Sequence, residues 1–170
     1  MSRLADASAP AQDHQYVIAS MRPRHLRQVA TLEARVYTRP WSLAVFETEL
    51  AQRDSRHYLV ARAGRRVVGY GELMAVLDEA HITTVVVDPD HRRRGLASRL
   101  VADLLAHARA TGAGSATLEV RVTNEAAQRL YRGFGFVPVG VRPRYYADTG
   151  EGALIMWLHG LQDAPPAPGA

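Results

Sequence analysis

Hydrophobic positions along this chain switch between two periods. Alternating or continuous apolar runs at residues 16–21, 57–62, 67–76, 79–87, 115–122, 137–145 and 153–158 predict strands. Residues 96–110 instead place Leu96, Leu100, Val101, Leu104, Leu105 and Ala108 at helical spacing, so one face of a helix is buried there. Pro23 stands near the start of a helix that runs to about Arg35. Pro40-Trp41 breaks the chain, and Ser42 is a good N-cap for a second helix to about Gln52. A short helix spans 124–132 and closes at Gly133. Ala63-Gly64-Arg65-Arg66 joins two strands as a hairpin, while Gly112 and Gly114 end the long helix. The order is β-α-α-β-β-β-α-β-α-β-β. Antiparallel strands come first, and a strand–helix–strand crossover over residues 80–122 adds a parallel pair. The expectation is one α/β domain: a mixed central sheet of about seven strands flanked by about four helices.

The flanks lack this periodicity. Residues 1–14 and the Pro/Ala-rich tail 161–170 read as disordered extensions of a domain at 15–160. No apolar run is long enough to span a bilayer, and the first fifteen residues lack the apolar centre of a secretory signal. A cytoplasmic protein without a membrane partner is expected. The 170 residues suffice for one domain with its own core. There is no cysteine, and all 21 basic residues are arginine. Disulfides, thiolate metal sites, cysteine nucleophiles, Schiff-base lysines and Walker-type lysines are therefore excluded. The seven histidines lack metal-ligand spacing, so no metal is expected and most are read as surface residues. A net charge of +4 and a pI near 9.8 favour an anionic partner only weakly. Direct nucleic-acid binding would rest on that charge alone and is not expected.

One stretch carries chemistry. Val85-Val86-Val87-Asp88-Pro89-Asp90-His91-Arg92-Arg93-Arg94-Gly95-Leu96-Ala97-Ser98 runs from strand through polar turn into helix. Unpaired N–H groups and the dipole at a helix start form an anion site, which arginine forks reinforce. By itself this reads equally as a solvated basic turn. Further on, strand alternation puts Leu118 and Val120 on one face and Glu119 and Arg121 on the other. Alone, Glu119 reads as a partner of Arg121 or a solvent-facing acid, Tyr131 as a core aromatic and Asn124 as a helix N-cap.

Arg92-Arg93-Arg94-Gly95-Leu96-Ala97 resembles the Q/R-x-x-G-x-G/A pyrophosphate signature of the GCN5-related N-acetyltransferases (GNAT), with Ala97 where glycine is commoner. Leu-Glu-Val-Arg-Val-Thr-Asn-Glu-Ala-Ala-Gln-Arg-Leu-Tyr-Arg-Gly-Phe-Gly-Phe, at 118–136, resembles the later half of that family's core. Pro40-Trp41-Ser42, Leu77-Asp78-Glu79-Ala80, Arg144-Tyr145-Tyr146 and Ala153-Leu154-Ile155-Met156 narrow the resemblance to its RimI-type branch, the bacterial ribosomal-protein alanine N-acetyltransferases. The likeness covers about residues 16–158. It implies the GNAT fold and acetyl-CoA as co-substrate, held by Val85, Val86, Val87, Arg92, Arg93, Arg94, Gly95, Leu96, Ala97, Ser98 and Asn124. It implies Glu119 as general base, Tyr131 as general acid, and Tyr145 and Tyr146 on the acceptor groove. The implied acceptor is the N-terminus of a ribosomal or other protein. Acetylation of lysine side chains or a small amine is the alternative, as is a non-catalytic acyl-CoA-binding module. Two departures concern the acceptor side: Tyr37 stands where histidine is common, and Gly152 where aspartate is frequent. A positively charged chain does not attract a basic tail, so Glu33 and Glu72 are candidates, by position, to receive one.

Overall fold

The computed structural model describes residues 16–163. The expected extension at 1–14 and residues 164–170 of the expected tail lie outside this range. Seven strands and four α-helices form the described domain. They are β1 (Tyr16–Ser20), α1 (Leu26–Val36), α2 (Leu43–Leu50), β2 (Arg56–Ala63), β3 (Arg66–Val76), β4 (Glu79–Val87), α3 (Leu96–Ala110), β5 (Ser115–Arg121), α4 (Glu125–Gly133), β6 (Val137–Tyr146) and β7 (Glu151–His159), preceded at α1 by a 3-10 turn at Pro23–His25. Pro23 thus opens that turn rather than the α-helix, because the His25 N–H bonds the Arg22 carbonyl three residues back. Ser42 caps α2 as its residue type requires, accepting from the Val45 N–H at 3.3 Å.

The strands form one sheet in the order β1-β2-β3-β4-β5-β7-β6. Every neighbouring pair is antiparallel except β4–β5, which is parallel across the α3 crossover. On one face, α3 buries Leu100, Leu104 and Leu105 against Ala116, Leu118 and Met156. On the other, α1 and α2 bury Leu26, Val29, Leu32 and Phe46 against Tyr58, Val60 and Tyr70. Each fully buried leucine contributes roughly 2–3 kcal/mol. The first face is unusually close-fitting because β3 carries Gly69 and Gly71. A Cβ at Gly71 would stand 3.1 Å from Leu104 Cδ1, and one at Gly69 would stand 2.9 Å from the Val86 carbonyl oxygen.

The start of the expected tail is corrected. Leu161 is fully buried, and its N–H donates to the Gly114 carbonyl at 2.9 Å. Gln162 Nε2 donates to the carbonyls of Arg109 and Ala113. Leucine's apolar area draws 161–163 onto the corner between α3 and β5 before the proline-rich stretch begins.

The sheet opens at its centre. Only Glu79, Ala80 and His81 pair with Ser115, Ala116 and Thr117. Beyond them, among the described residues, 82–87 of β4 and 118–121 of β5 share no ladder. Each instead stays paired with its outer neighbour, β3 and β7 respectively. A register shift in β3–β4 between Glu72 and Leu73 accompanies the parting.

Candidate active site

Backbone groups on the inner edge of β4 have no strand partner across the opening, and backbone inside a protein needs a partner. Val85, Val86 and Val87 lie on this edge. Val85 and Val87 pack toward the α3-side core, whereas Val86 is buried in the core under α1 and α2. The chain then turns into α3. Asp88 anchors that turn: it accepts from Arg35 at 2.8 Å, Arg66 at 3.1 Å and the Asp90 N–H at 3.0 Å. Burial alone would raise its carboxyl pKa, but that N–H and the two guanidinium groups outweigh it and hold the value below the ordinary aspartate range.

Gly95 caps α3 with φ +74°, and a side-chain Cβ there would meet nothing within 4 Å, so the helix start is open as well as left-handed. No acid occupies the first turn of α3. Arg93 also adopts positive φ, 61°, and lies exposed with Arg92 and Arg94 around the opening. Arg94 donates to the Tyr16 hydroxyl at 3.1 Å, and Arg92 to the Val87 carbonyl at 3.4 Å. Leu96 is buried in the core, so only its backbone serves the helix start, while Ala97 and Ser98 are partly exposed. Asn124 caps α4, its Oδ1 accepting from the Ala127 N–H at 3.1 Å.

Glu119 points to the face covered by α1 and α2, opposite the buried Leu118 and Val120. Its side chain is only 12% exposed, and Arg121 is not its partner. His81 Nε2 lies 2.6 Å from Glu119 Oε2, and Arg142 Nη1 lies 3.6 Å from Oε1. Arg121 turns instead to the β6–β7 loop, bonding both Asp148 oxygens at 2.8 and 3.0 Å and Glu151 at 3.3 Å. Its guanidinium lies 3.9 Å above the Tyr146 ring. Tyr146 feels the Glu119 charge and, mainly by burial, has its phenol pushed up to about 12. Tyr145 is exposed and meets Tyr146 edge-on at 5.1 Å.

Tyr131 is buried on α4 with its ring against Phe136, yet Tyr37 and Tyr146 lie within electrostatic reach of its hydroxyl. Burial raises its pKa strongly, so the phenol keeps its proton. Tyr146 lies within electrostatic reach of both Glu119 and Tyr131.

Beside it, a cavity of about 240 Å³ opens between α1, α2, β3 and β4, with Tyr37, Trp41, Phe46, Tyr70, Glu33 and Glu72 among its walls. Glu33 and Glu72 are not free surface acids. Glu33 accepts from the Tyr70 hydroxyl and the Trp41 N–H, and Glu72, 1% exposed, accepts from Arg56 at 2.6 Å. Burial of these carboxylates requires such partners.

Tyr37 and His81 belong to this neighbourhood although motif reading does not assign either to the chemistry. The reading of the histidines as surface residues is corrected too. Among the described ones only His159 is exposed, His25 is buried, and His57 stacks on His107 at 3.6 Å.

A central opening in a mixed sheet, an anion-ready helix start on one side and a carboxylate–phenol neighbourhood on the other define an acyltransferase fold. The family model for the acetyltransferase (GNAT) family matches residues 26–136, and the chain belongs to that family, whose members use acetyl-CoA as co-substrate. It is 40% identical over 136 residues to N-alpha-acetyltransferase RimI of Mycobacterium tuberculosis, spanning 76% of this chain and 84% of that protein. It is 32% identical over 143 residues to the ribosomal protein bS18-alanine N-acetyltransferase of Escherichia coli strain K12, spanning 83% and 95%. The crystal structure of a ribosomal-protein alanine N-acetyltransferase from Escherichia coli superposes with TM-score 0.77 at 31% identity, covering 85% of this chain and 94% of that one. No described helix is long and apolar enough to cross a membrane.

Proposed function

We propose that this acetyltransferase modifies the α-amino group of a protein N-terminus, alanine first, on a ribosomal protein, as its bS18-alanine N-acetyltransferase relatives are named for. That acceptor would place its work in the cytoplasm. One observation carries the reading: a largely buried carboxylate, Glu119, stands just past the point where β4 and β5 part, on the face that holds the cavity.

The residues present fit acetyl-CoA. The helix start at Gly95 is open, free of acids and ringed by Arg92, Arg93 and Arg94, which suits a diphosphate. When bound, the coenzyme supplies an acetyl thioester. Backbone N–H groups on the inner edge at 85–87 can hold negative charge developing on a carbonyl oxygen. Asn124 adds a polar side chain near the start of α4. At pH 7 only about a tenth of a free α-amine is neutral. Glu119 takes the proton the nitrogen loses as its bond to carbon forms. Tyr131, kept protonated by burial, donates to the departing thiolate, whose basicity the same dry surroundings raise. Tyr145 and Tyr146 border the incoming chain, and the cavity takes acceptor atoms beyond the amine.

Peptides starting with Ala, Ser, Met or Gly, and one with a blocked N-terminus and an internal lysine, separate the acceptor classes by mass spectrometry after incubation with acetyl-CoA. The Ala peptide is expected to gain 42 Da fastest, a mass increment on the order of one acetyl group at the α-nitrogen. A gain on the lysine peptide alone would overturn the assignment. The chain holds no lysine, so acetyl-lysine in this assay reports on the peptide.

A further inference from the structure

Glu119 has a neighbour that the chemistry above leaves unused. His81 occupies the last residue pair joining β4 to β5, opposite Thr117. Glu119 lies two residues further along β5 on the face of Thr117, the first residue on that face beyond the last pair. His81 Nε2 is 2.6 Å from Glu119 Oε2, and the imidazole is 25% exposed. Among the described residues, the other carboxylate oxygen, Oε1, is approached by the exposed Arg142 at 3.6 Å. Tyr145 and Tyr146 of β6 also feel the Glu119 charge. These are the charged and titratable groups of the packed elements that face the pair.

We infer, resting on the reading of Glu119 as the base, that His81 is its positioning residue: the imidazole donates its Nε2–H to Oε2 and so presents Oε1 to the amine. A carboxylate on a strand edge swings about two side-chain torsions, and one charge-assisted bond of this length fixes the plane of its oxygens. The proton then moves from the amine nitrogen to Oε1 as the new N–C bond forms.

The test is kcat at one fixed pH, with saturating acetyl-CoA and an Ala-starting peptide, for the native protein, His81→Ala, His81→Gln, His81→Phe and Glu119→Gln. His81→Ala is expected to lower kcat about tenfold while leaving the KM for acetyl-CoA within about twofold. His81→Gln keeps an N–H donor and is expected to recover most of that loss. His81→Phe fills the same space without a donor and is expected to stay as low as His81→Ala. A merely structural histidine would be replaced by Phe as well as by Gln. A kcat in His81→Gln no higher than in His81→Phe overturns the inference, and these two variants preserve side-chain bulk if His81→Ala does not fold. Glu119→Gln separates the two readings. If it keeps native activity, the base assignment and this inference fall together. If it is inactive while His81→Gln and His81→Phe are equally active, only the role of His81 is lost.

Discussion

The proposed coenzyme side and the proposed acceptor side of the β4–β5 opening are made of different material. The proposed coenzyme side is one contiguous stretch, residues 85–98, and offers backbone: a free strand edge, a left-handed Gly95 and a helix start. The acceptor side is assembled from side chains far apart in sequence, with Glu33 and Tyr37 from the first helix and its exit, His81 and Glu119 from the central strands, and Arg121 tied to the β6–β7 loop. Backbone sites are built by local geometry and tolerate change in neighbouring side chains. Side-chain sites depend on ion pairs and hydrogen bonds whose loss leaves a buried charge unpaired. Acceptor choice can therefore drift in such a fold while coenzyme binding stays put.

Substitutions on either side should dissociate the two functions. The largest effect is expected from Glu119→Gln, which should lower kcat about 100- to 1000-fold without moving the coenzyme Kd beyond about twofold. Tyr131→Phe should follow it with a smaller loss, about 10- to 100-fold. Single-turnover kinetics beside calorimetric coenzyme titration would check both, and unchanged rates would remove the roles given to these residues. Gly95→Asp should do the reverse, weakening coenzyme binding about 10- to 100-fold by setting a carboxylate against the diphosphate. Gly95→Ala measures how much of this is the cost of φ +74° alone, about 1 kcal/mol.

Arg121→Leu sharpens the acceptor side. It removes the anchor of Asp148 and Glu151 and the cation above Tyr146, so the peptide KM should rise about tenfold while the acetyl-CoA KM holds. Steady-state kinetics with each substrate varied would show whether the two constants separate.

The smallest effect concerns neither side. His57 is stacked on His107, and burial, then the neighbouring ring, lowers its pKa to about 4. The unfolded chain takes up this proton near pH 6.5 while the folded one resists it. Stability from this pair is therefore present above pH 6.5 and lost as pH falls toward 4. After screening at a half-buried ring the loss is about 1 kcal/mol. Urea denaturation across that range should show it in the native protein and not in His57→Phe.

Legibility in the sequence follows the same division. All seven strands and the four helices are visible in apolar periodicity and in Ser42, Asn124 and the glycine punctuation, with ends shifted by a few residues. The turn at 88–95 is legible because its residues are consecutive and their conformations are local. His81 is not, since a histidine on a half-polar strand looks like any exposed residue until the β4–β5 pairing sets it beside Glu119. Arg121 is misread for a similar reason: strand alternation places it near Glu119, but the β6–β7 loop offers two carboxylates at closer range. Glu33 and Glu72 are legible as acids on the correct side of the sheet, while their burial depends on Tyr70 and Arg56, which lie 37 and 16 positions away. Leu161 is hidden by the prolines that follow it, because composition averages over a window while anchoring takes a single leucine.

The three-pair junction between β4 and β5 also has a mechanical meaning. It divides the sheet into two plates, one ending at β4 and one beginning at β5, that share a short hinge line and are clamped by the packing under α3. A pulling load across the plates falls on those few bonds before it reaches any longer ladder, so the sheet is weakest in tension along the line where the proposed site opens.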